Sequence, residues 1–280
     1  KMTKTVAQAM LAKVYAEKEV QDYDKVIAYA DKVMKTTGVE LEDSYETLWG
    51  YDETAKDCMK RNTKEGILEV HWTTGSGNWE TWMYGRQLDN WDYYFTWAKW
   101  ITPSRDIIND FDKEGDEVRK NQAVVYYACT WSNYYPASNY PFMYKLRSSY
   151  NNIYWVRLAD IILMKAEAEA YKGNLAESAK LVNQIRKRAK LKKLTSDKTG
   201  SKESMIEAVL HERRLELAFE GERWFDLCRN NKVEKYLNGI DNRDSGRIRQ
   251  VRQFDSNSYL LPIPQTALDQ NTNLEQNPGY

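Results

Sequence analysis

Two pairs of helices with small apolar residues on their facing sides constrain the fold of this chain most. The first pair is predicted at residues 3–18 and 22–36, the second at residues 154–172 and 175–189. Apolar residues recur every three or four positions, as on one helix face: Val6, Ala9, Met10, Val14; Tyr23, Val26, Ile27, Ala30, Val33, Met34; Ala159, Leu163, Ala166, Ala170; Leu175, Ala179, Val182, Ile185 and Ala189. Because alanines let helices approach closely, the pattern predicts tetratricopeptide-like repeats of about 34 residues.

The stretch between the two pairs has a different texture. Its apolar residues do not keep a helical period over long runs. Short stretches with alternating polar and apolar residues predict strands at residues 67–71, 122–129 and 142–147, and a short helix is predicted after Pro103 at residues 104–111. We therefore predict a mainly α fold, with tetratricopeptide-like repeats and a loop-rich, aromatic-rich insertion that contains a few short strands. The chain is expected to form a single domain with three parts: the helix pair 1–37, the insertion 38–150, and the second repeat with the tail 151–280.

A third long helix follows the second pair. It is predicted to begin at the N-cap Ser201, with Ser204 as the alternative cap, and to reach Phe219. A helical turn continues at residues 224–227. The tail at residues 259–264 contains two prolines and is expected to be extended.

Charge and hydropathy exclude two classes of protein. The 280 residues carry 41 Lys and Arg and 41 Asp and Glu, so the formal net charge is zero. A nucleic-acid-binding protein needs an excess of cationic side chains to neutralise phosphates, which excludes nucleic acid as a partner. No apolar run approaches the roughly 20 residues that span a bilayer, so no transmembrane helix is expected.

The aromatic residues indicate a binding surface. Ten Trp and twenty Tyr stand against six Phe, although Phe is the simpler core filler, whereas Trp and Tyr suit places where a ring meets water or a ligand. Many lie at residues 72–100, here called the first aromatic segment, whose Gly and Asn content predicts loops. Residues 131–140, the second aromatic segment, have a similar composition and are expected to form the opposite rim.

Loops of rigid rings with short polar neighbours suit a carbohydrate, because rings stack on the C–H faces of a sugar and polar side chains bind its hydroxyls. The alternative is that the rings fill the core of a loop-rich subdomain. The predicted ligand-binding residues are Trp79, Trp82, Trp91, Tyr93, Tyr94 and Trp97, with Asn78, Asn90, Asp92 and Arg86, and Trp131 and Tyr134 from the second segment.

A ladder of carboxylates on the third helix raises the possibility of an enzyme. Glu212, Glu216 and Glu220 share one helix face, and glycosidases use paired carboxylates. We favour a structural network, in which the carboxylates pair with the arginines nearby in sequence, Arg213, Arg214 and Arg223.

Other catalytic chemistry has little support in the sequence. Cys58, Cys129 and Cys228 are expected to be buried thiols rather than disulfide partners or zinc ligands. A catalytic cysteine would need His71 or His211, the only two histidines, as its base. We expect no metal ion, no cofactor and no catalytic residue.

Five signatures, in order, resemble those of the SusD/RagB family. Residues 102–104 (TPS) and 115–119 (GDEVR) also resemble its middle region, so the resemblance covers essentially the whole chain. The signatures are residues 155–170 (WVRLADIILMKAEAEA), 182–189 (VNQIRKRA), 212–227 (ERRLELAFEGERWFDL), 261–264 (LPIP) and 276–280 (QNPGY).

The resemblance implies a surface lipoprotein of the outer membrane that captures glycans without catalysis. Its tetratricopeptide-like helices would form the scaffold and meet a SusC-like TonB-dependent transporter as partner, and its loops would bind the glycan ligand. No binding residue transfers by motif, because these residues vary with the glycan in the family. Members are about twice this length and begin with a lipidated cysteine, so the chain is expected to correspond to the C-terminal portion, with the membrane reached only through an N-terminal lipid anchor absent from it.

Three alternatives to glycan capture remain open at this point. The same scaffold is also compatible with another nutrient, such as a peptide. A glycoside hydrolase would use the carboxylate ladder described above. A pure tetratricopeptide interaction scaffold would bury the aromatic rings.

Overall fold

A computed structural model describes residues 2–72, 84, 101–129, 135–148, 150–246 and 253–280. The chain forms two compact units, Lys1–Arg223 and Trp224–Tyr280. Whether the chain acts as a single domain stays a prediction.

The first helix pair is present, but α1 buries a different face from the one we predicted. Helix α1 (Lys4–Ala16) begins after the N-cap Thr3, whose hydroxyl accepts a hydrogen bond from the Val6 amide at 3.2 Å. It buries Val6, Ala9, Ala12 and Ala16, whereas Met10 and Val14 are 38% and 48% exposed. The prediction of Met10 and Val14 in the core is wrong, because the alanine face allows closer packing against the neighbouring helices.

Helix α2 (Tyr23–Met34) follows the expected pattern. Asp22 is the N-cap, and its carboxylate accepts a hydrogen bond from the Lys25 amide at 3.1 Å. The helix buries Val26, Ala30 and Val33.

The second pair is confirmed, except where its first helix begins. Residues 153–157 are a strand, β6 (Ile153–Arg157), which pairs antiparallel with β3 (Gly66–Val70), and helix α6 (Leu158–Tyr171) starts only after it. We predicted a helix from residue 154. That prediction is wrong because β-branched and aromatic residues here pair with another strand, which local periodicity does not reveal.

Helix α7 (Leu175–Arg188) packs against α6 after the turn at Gly173, which has φ +85°. The Ser178 hydroxyl donates a 2.7 Å hydrogen bond to the Ala166 carbonyl between the two helices. Their facing alanines lie in the main core with Leu163, Val182 and Ile185, as predicted.

The third long helix, α9 (Lys202–Glu216), packs on α6 and α7. Ser201 is its N-cap and Ser204 completes a capping box, so both predicted candidates contribute. The helix ends at Glu216 rather than Phe219, which has φ +66°.

The remaining elements of the first unit are short. The predicted strands and the helix after Pro103 are confirmed with shorter or shifted bounds. The short elements of the first unit are α3 (Glu46–Trp49), β1 (Tyr51–Asp52), β2 (Asp57–Cys58), α4 (Arg105–Glu114), α5 (Glu117–Ala123), β4 (Val124–Tyr127), β5 (Tyr140–Met143) and α8 (Ser196–Thr199).

In its described residues, the second unit contains the tail and three short α-helices, the first of which begins at Arg223, the last residue of the first unit. The Asn238 side-chain amide binds the backbone of Phe254: its Nδ2 donates to the Phe254 carbonyl at 2.9 Å, and its Oδ1 accepts from the Phe254 backbone amide at 2.7 Å. The prolines keep the tail extended after Tyr259, as predicted, and Gln276 holds Ile263 by two hydrogen bonds of 2.8 and 2.9 Å. Its helices are α10 (Arg223–Arg229), α11 (Val233–Leu237) and α12 (Gln265–Gln270).

The helices of the described residues reach at most 15 residues, in α9. None of them has the length and apolarity required to cross a membrane.

Candidate functional site

All predicted ligand-binding residues lie outside the described residues, so the structure does not test their assignment. They are Trp79, Trp82, Trp91, Tyr93, Tyr94, Trp97, Asn78, Asn90, Asp92, Arg86, Trp131 and Tyr134. What the structure describes is how the ends of the two aromatic segments are held.

The second aromatic segment lies largely in the loop of a β-hairpin. Strand β4 pairs antiparallel with β5, from Val124 opposite Met143 to Tyr127 opposite Tyr140. The Cys129 amide donates to the Ala137 carbonyl at 2.8 Å, which extends the pairing into the loop. The described residues on both sides of positions 130–134 are therefore held in place.

The chain that leaves the first aromatic segment is bound to this hairpin. The Thr102 hydroxyl donates to the Pro141 carbonyl at 3.0 Å, and the Tyr135 hydroxyl donates to the Pro103 carbonyl at 2.7 Å. The Arg105 guanidinium stacks over the Tyr135 ring, 4.1 Å from its centroid. These contacts hold residues 102–105, which follow the first segment in sequence, against Tyr135 and Pro141.

In the described part of the first unit, three aromatic residues outside the predicted site are exposed. Tyr126 and Tyr127 on β4 are 38% and 36% exposed, and Trp155 on β6 is 62% exposed. The buried–exposed alternation of Tyr154, Trp155 and Val156 is a strand signal. It is hidden in the sequence because helix α6 follows directly and its apolar residues continue the pattern.

A polar cavity of about 370 Å³ lies beside the entry to the first aromatic segment. Its organiser is the buried Glu69 carboxylate, which accepts hydrogen bonds from Thr63 and from the Asn152 amide at 3.1 Å, and pairs with His71 Nε2 at 2.8 Å. With these partners the carboxylate serves to fix the chain before Trp72. The cavity is lined by Asn62, Thr63, Gly66, Ile67, Leu68, Glu69 and His71.

The carboxylate ladder forms a buried ion-pair network, as favoured above. Glu216 is fully buried and bound by Arg157 at 2.6 Å, by Arg119 at 3.2 Å and by Arg188. Glu212 is bound by Arg119 at 2.7 Å and by Arg186 at 3.0 Å. Clustered guanidinium groups hold the pKa of Glu216 well below its usual range, against the opposing effect of burial.

Glu220 extends the network to a buried lysine. It pairs with Lys145 at 2.6 Å and with Arg157 at 2.7 Å. Burial lowers the pKa of Lys145 to about 8. The Lys145 ammonium also lies over the Trp49 ring, 4.7 Å from its centroid.

The predicted partners of the ladder are wrong. Arg213 pairs with Asp160 at 2.8 Å, Arg214 pairs with Asp106 at 2.8 Å and with Asp110, and Arg223 donates to the Leu210 carbonyl. The reason is geometric, since residues next to the glutamates in sequence point to other helix faces while distant arginines meet them through packing.

This environment does not suit carboxylate catalysis. Glu212 and Glu216 are fully buried and tied to arginines, so neither reaches a substrate, and a glycosidase acid needs a raised pKa rather than a lowered one.

The cysteines do not form a reactive centre among the described residues. All three are free, and Cys129 is buried while Cys58 and Cys228 are partly buried. Burial raises the pKa of the Cys58 thiol to about 11, whereas a nucleophilic cysteine requires a lowered value. No group of three or more His, Cys, Asp or Glu side chains in the described ranges is arranged to hold a metal ion.

Comparison with known proteins defines the class. The chain belongs to the SusD family, whose model matches residues 46–280. SusD-like protein P38 of Formosa agariphila is 36% identical over 135 residues, which are 46% of this chain and 25% of that protein.

Solved structures share the fold over the whole chain. A SusD superfamily protein from Parabacteroides distasonis superposes with a TM-score of 0.76 at 22% identity, covering 100% of this chain and 64% of that one. A laminarin-binding SusD-like protein gives a TM-score of 0.70 at 23% identity, covering 100% and 63%. The chain thus spans less than two thirds of these structures, and about a quarter of the curated relative is aligned.

Proposed function

We propose that this chain binds an oligosaccharide or polysaccharide without catalysis, through its two aromatic segments. The observation that carries the proposal is the pair of hydrogen bonds that ties Thr102 and Pro103 to Pro141 and Tyr135. These contacts join the chain that follows the first segment to Tyr135 of the second segment and to Pro141 just after it. The two segments together hold all the predicted stacking rings. Membership of the SusD family and the laminarin-binding neighbour support a glycan as the ligand.

The chemistry of the segments fits this role. Anchored ends reduce the entropy lost when loops order around a ligand. Flat aromatic rings bury the C–H faces of pyranose rings, and Asn, Asp and Arg side chains bind the hydroxyls between them. Each sugar contact is weak, so a polymer gains affinity from several contacts at once.

The test is affinity gel electrophoresis of the chain through a panel of polysaccharides that includes laminarin. We expect retardation on at least one glycan, with no reducing ends released from it during prolonged incubation. Migration unchanged on every glycan would overturn glycan binding. Release of sugars that is lost in Glu212→Gln, with the fold intact, would establish a glycoside hydrolase instead.

We further propose that the protein works at the cell surface, held in the outer membrane by a lipid anchor, and delivers its glycan to a SusC-like TonB-dependent transporter. The helical scaffold, formed by α1, α2, α6 and α7, supplies the surface for this partner. Tagged protein in intact cells should be labelled by an impermeant reagent and should co-purify with such a transporter from detergent extracts. Absence of the transporter from the purified complex would overturn delivery but not glycan binding.

A further inference from the structure

A cationic pocket lies on the scaffold, apart from the contacts that anchor the aromatic segments. It has a volume of about 480 Å³, within the range of small-molecule sites, and lies between the end of α4 and the loop from α7 to α8. Among its described lining residues, six carry cationic side chains and one carries a carboxylate. The lining residues are Lys113, Glu114, Gly115, Arg186, Lys190, Leu191, Lys192, Lys193, Leu194, Thr195 and Lys198.

The single carboxylate of the pocket is already neutralised. Glu114 accepts hydrogen bonds from His211 at 3.1 Å and from Arg186 at 3.0 Å, and these contacts lower its pKa to about 2, with the His211 hydrogen bond the largest cause. Arg186 also pairs with Glu212 at 3.0 Å. Glu114 and Arg186 are thus occupied by each other and by the buried network.

Four lysines of the pocket form no such ion pair, although Lys198 interacts electrostatically with Asp197, its neighbour in sequence. Within the part of the chain that the structure describes, no carboxylate lies within 4.0 Å of their ammonium groups, and all four are exposed. They are Lys190, Lys192, Lys193 and Lys198.

The backbone that carries these lysines is held in place. The Leu191 amide donates to the Arg186 carbonyl at 2.9 Å, and the Leu194 amide donates to the Asn183 side chain at 2.8 Å. Arg186 Nε donates to the Lys192 carbonyl at 2.8 Å. Lys190 has φ +59°, a left-handed conformation for which glycine is preferred, yet a lysine stands there.

Helix capping does not account for the number of positive charges. The C-terminus of α7 carries an effective charge of about −0.5, and Arg186, Lys187 and Arg188 already lie in its last turn. The lysines beyond the helix end exceed this requirement. Lysine ammonium groups repel one another across a concave surface, and an anion bound between them replaces this repulsion by attraction.

We propose that this pocket binds an anionic substituent of the glycan, a sulfate ester or a carboxylate, as a subsite separate from the aromatic segments. The inference rests on the proposed function, since it names the class of glycan. A membrane surface is the weaker candidate, because the pocket is concave, its apolar residues Leu191 and Leu194 are half-buried, and the chain as a whole has zero net charge. Among the residues that the structure describes, no aromatic ring lines it, which disfavours stacking of nucleic-acid bases.

The test compares anionic polysaccharides with their neutral counterparts: heparin, carrageenan and alginate beside desulfated or esterified forms. The pocket variant is Lys192→Ala/Lys193→Ala/Lys198→Ala. Its control is Lys4→Ala/Lys35→Ala/Lys56→Ala, which removes the same charge from exposed lysines that do not line the pocket.

We expect the wild type to bind at least one anionic glycan more tightly than its neutral form, and the pocket variant to lose about tenfold of that affinity. The control keeps it, and added salt removes the preference. Equal binding by the pocket and control variants, or no anionic preference, would overturn the proposal.

Further arms separate the sources of the anion. If inorganic sulfate competes as strongly as the sulfated glycan, the pocket is a site for free ions. If the pocket variant loses binding to anionic lipid vesicles but not to any glycan, the pocket is a membrane site. Either result overturns the proposal. Both proposals are supported if Trp79→Ala/Trp91→Ala weakens binding of neutral and anionic glycans alike, while the pocket variant loses only the preference for the anionic glycan. Unchanged binding in the tryptophan variant contradicts the aromatic site alone.

Discussion

The buried side chain of Glu216 joins four elements of the first unit. Its carboxylate, at the end of α9, is bound by arginines from α5, β6 and α7. Its backbone carbonyl, one of those a helix end leaves unpaired, accepts hydrogen bonds from Tyr45 at 2.7 Å, Lys145 at 3.1 Å and Arg157 at 2.8 Å. One residue thus satisfies a helix end and compensates several buried cations.

Glu216→Gln should destabilise the fold by about 3–5 kcal/mol, because it leaves buried guanidinium groups without a counter-charge. Urea unfolding at pH 7 measures this. The matched control is Glu203→Gln on the same helix, an exposed residue in the first turn whose loss should cost no more than about 1 kcal/mol. Equal stability of the two variants would contradict the network.

The same comparison has a defined pH dependence. The folded pKa of Glu216 is lowered from 4.5, so its stabilising contribution is present above pH 4.5 and is lost as the pH falls toward the folded value. The difference in free energy of unfolding between the wild type and Glu216→Gln should therefore become smaller below about pH 4.5.

The ladder was predictable at this scale, but its partners were not. The spacing of Glu212, Glu216 and Glu220 identifies one helix face and the need for cations. Arg119 and Arg157 meet Glu216 from 97 and 59 residues away along the chain. Spacing rules describe only neighbours on the same helix, so such partners emerge from packing alone.

Among the elements, the hairpin β4–β5 and the start of α4 matter most for the candidate site. The Tyr135 hydroxyl and the Thr102 hydroxyl each bind a proline carbonyl across the junction of the two aromatic segments. Pro103 has no amide donor and lies outside any strand, so the Tyr135 bond holds chain that no ladder fixes, while the Thr102 bond ties the same stretch to strand β5 at Pro141.

Tyr135→Phe should weaken glycan binding by about fivefold, because it removes the 2.7 Å hydrogen bond to the Pro103 carbonyl while keeping the ring under Arg105. Isothermal titration with the retained glycan measures this. Tyr126→Phe is the matched control, since Tyr126 is exposed on β4. Identical affinities for the two variants would mean that this anchor does not position the site.

The elements were largely predictable where periodicity is local. The two helix pairs and the N-cap of α9 at Ser201 follow from sequence pattern. The strand β6 was not, because its pairing with β3 brings together residues more than 80 positions apart. The buried face of α1 was misjudged because hydrophobic ranking favours Met10 and Val14, whereas close packing favours the alanines.

At the scale of the molecule, the family signatures coincide with the buried network. Arg157 comes from the first signature, Arg186 and Arg188 from the second, and Glu212 and Glu216 from the third. The resemblance to the SusD family could therefore be found from sequence, since the motifs are the charged residues that hold the scaffold. The ligand residues have no comparable signature, so the glycan site stays a prediction.

The central claim is that the aromatic segments bind the glycan, and calorimetric titration of Trp79→Ala/Trp91→Ala with the retained polysaccharide tests it most directly. Loss of two stacking rings should weaken affinity by about tenfold or more, while the control Phe225→Ala, which removes a ring 55% exposed in the second unit, binds as the wild type does. Circular dichroism confirms that each variant is folded. Wild-type affinity in the folded tryptophan variant would contradict the account.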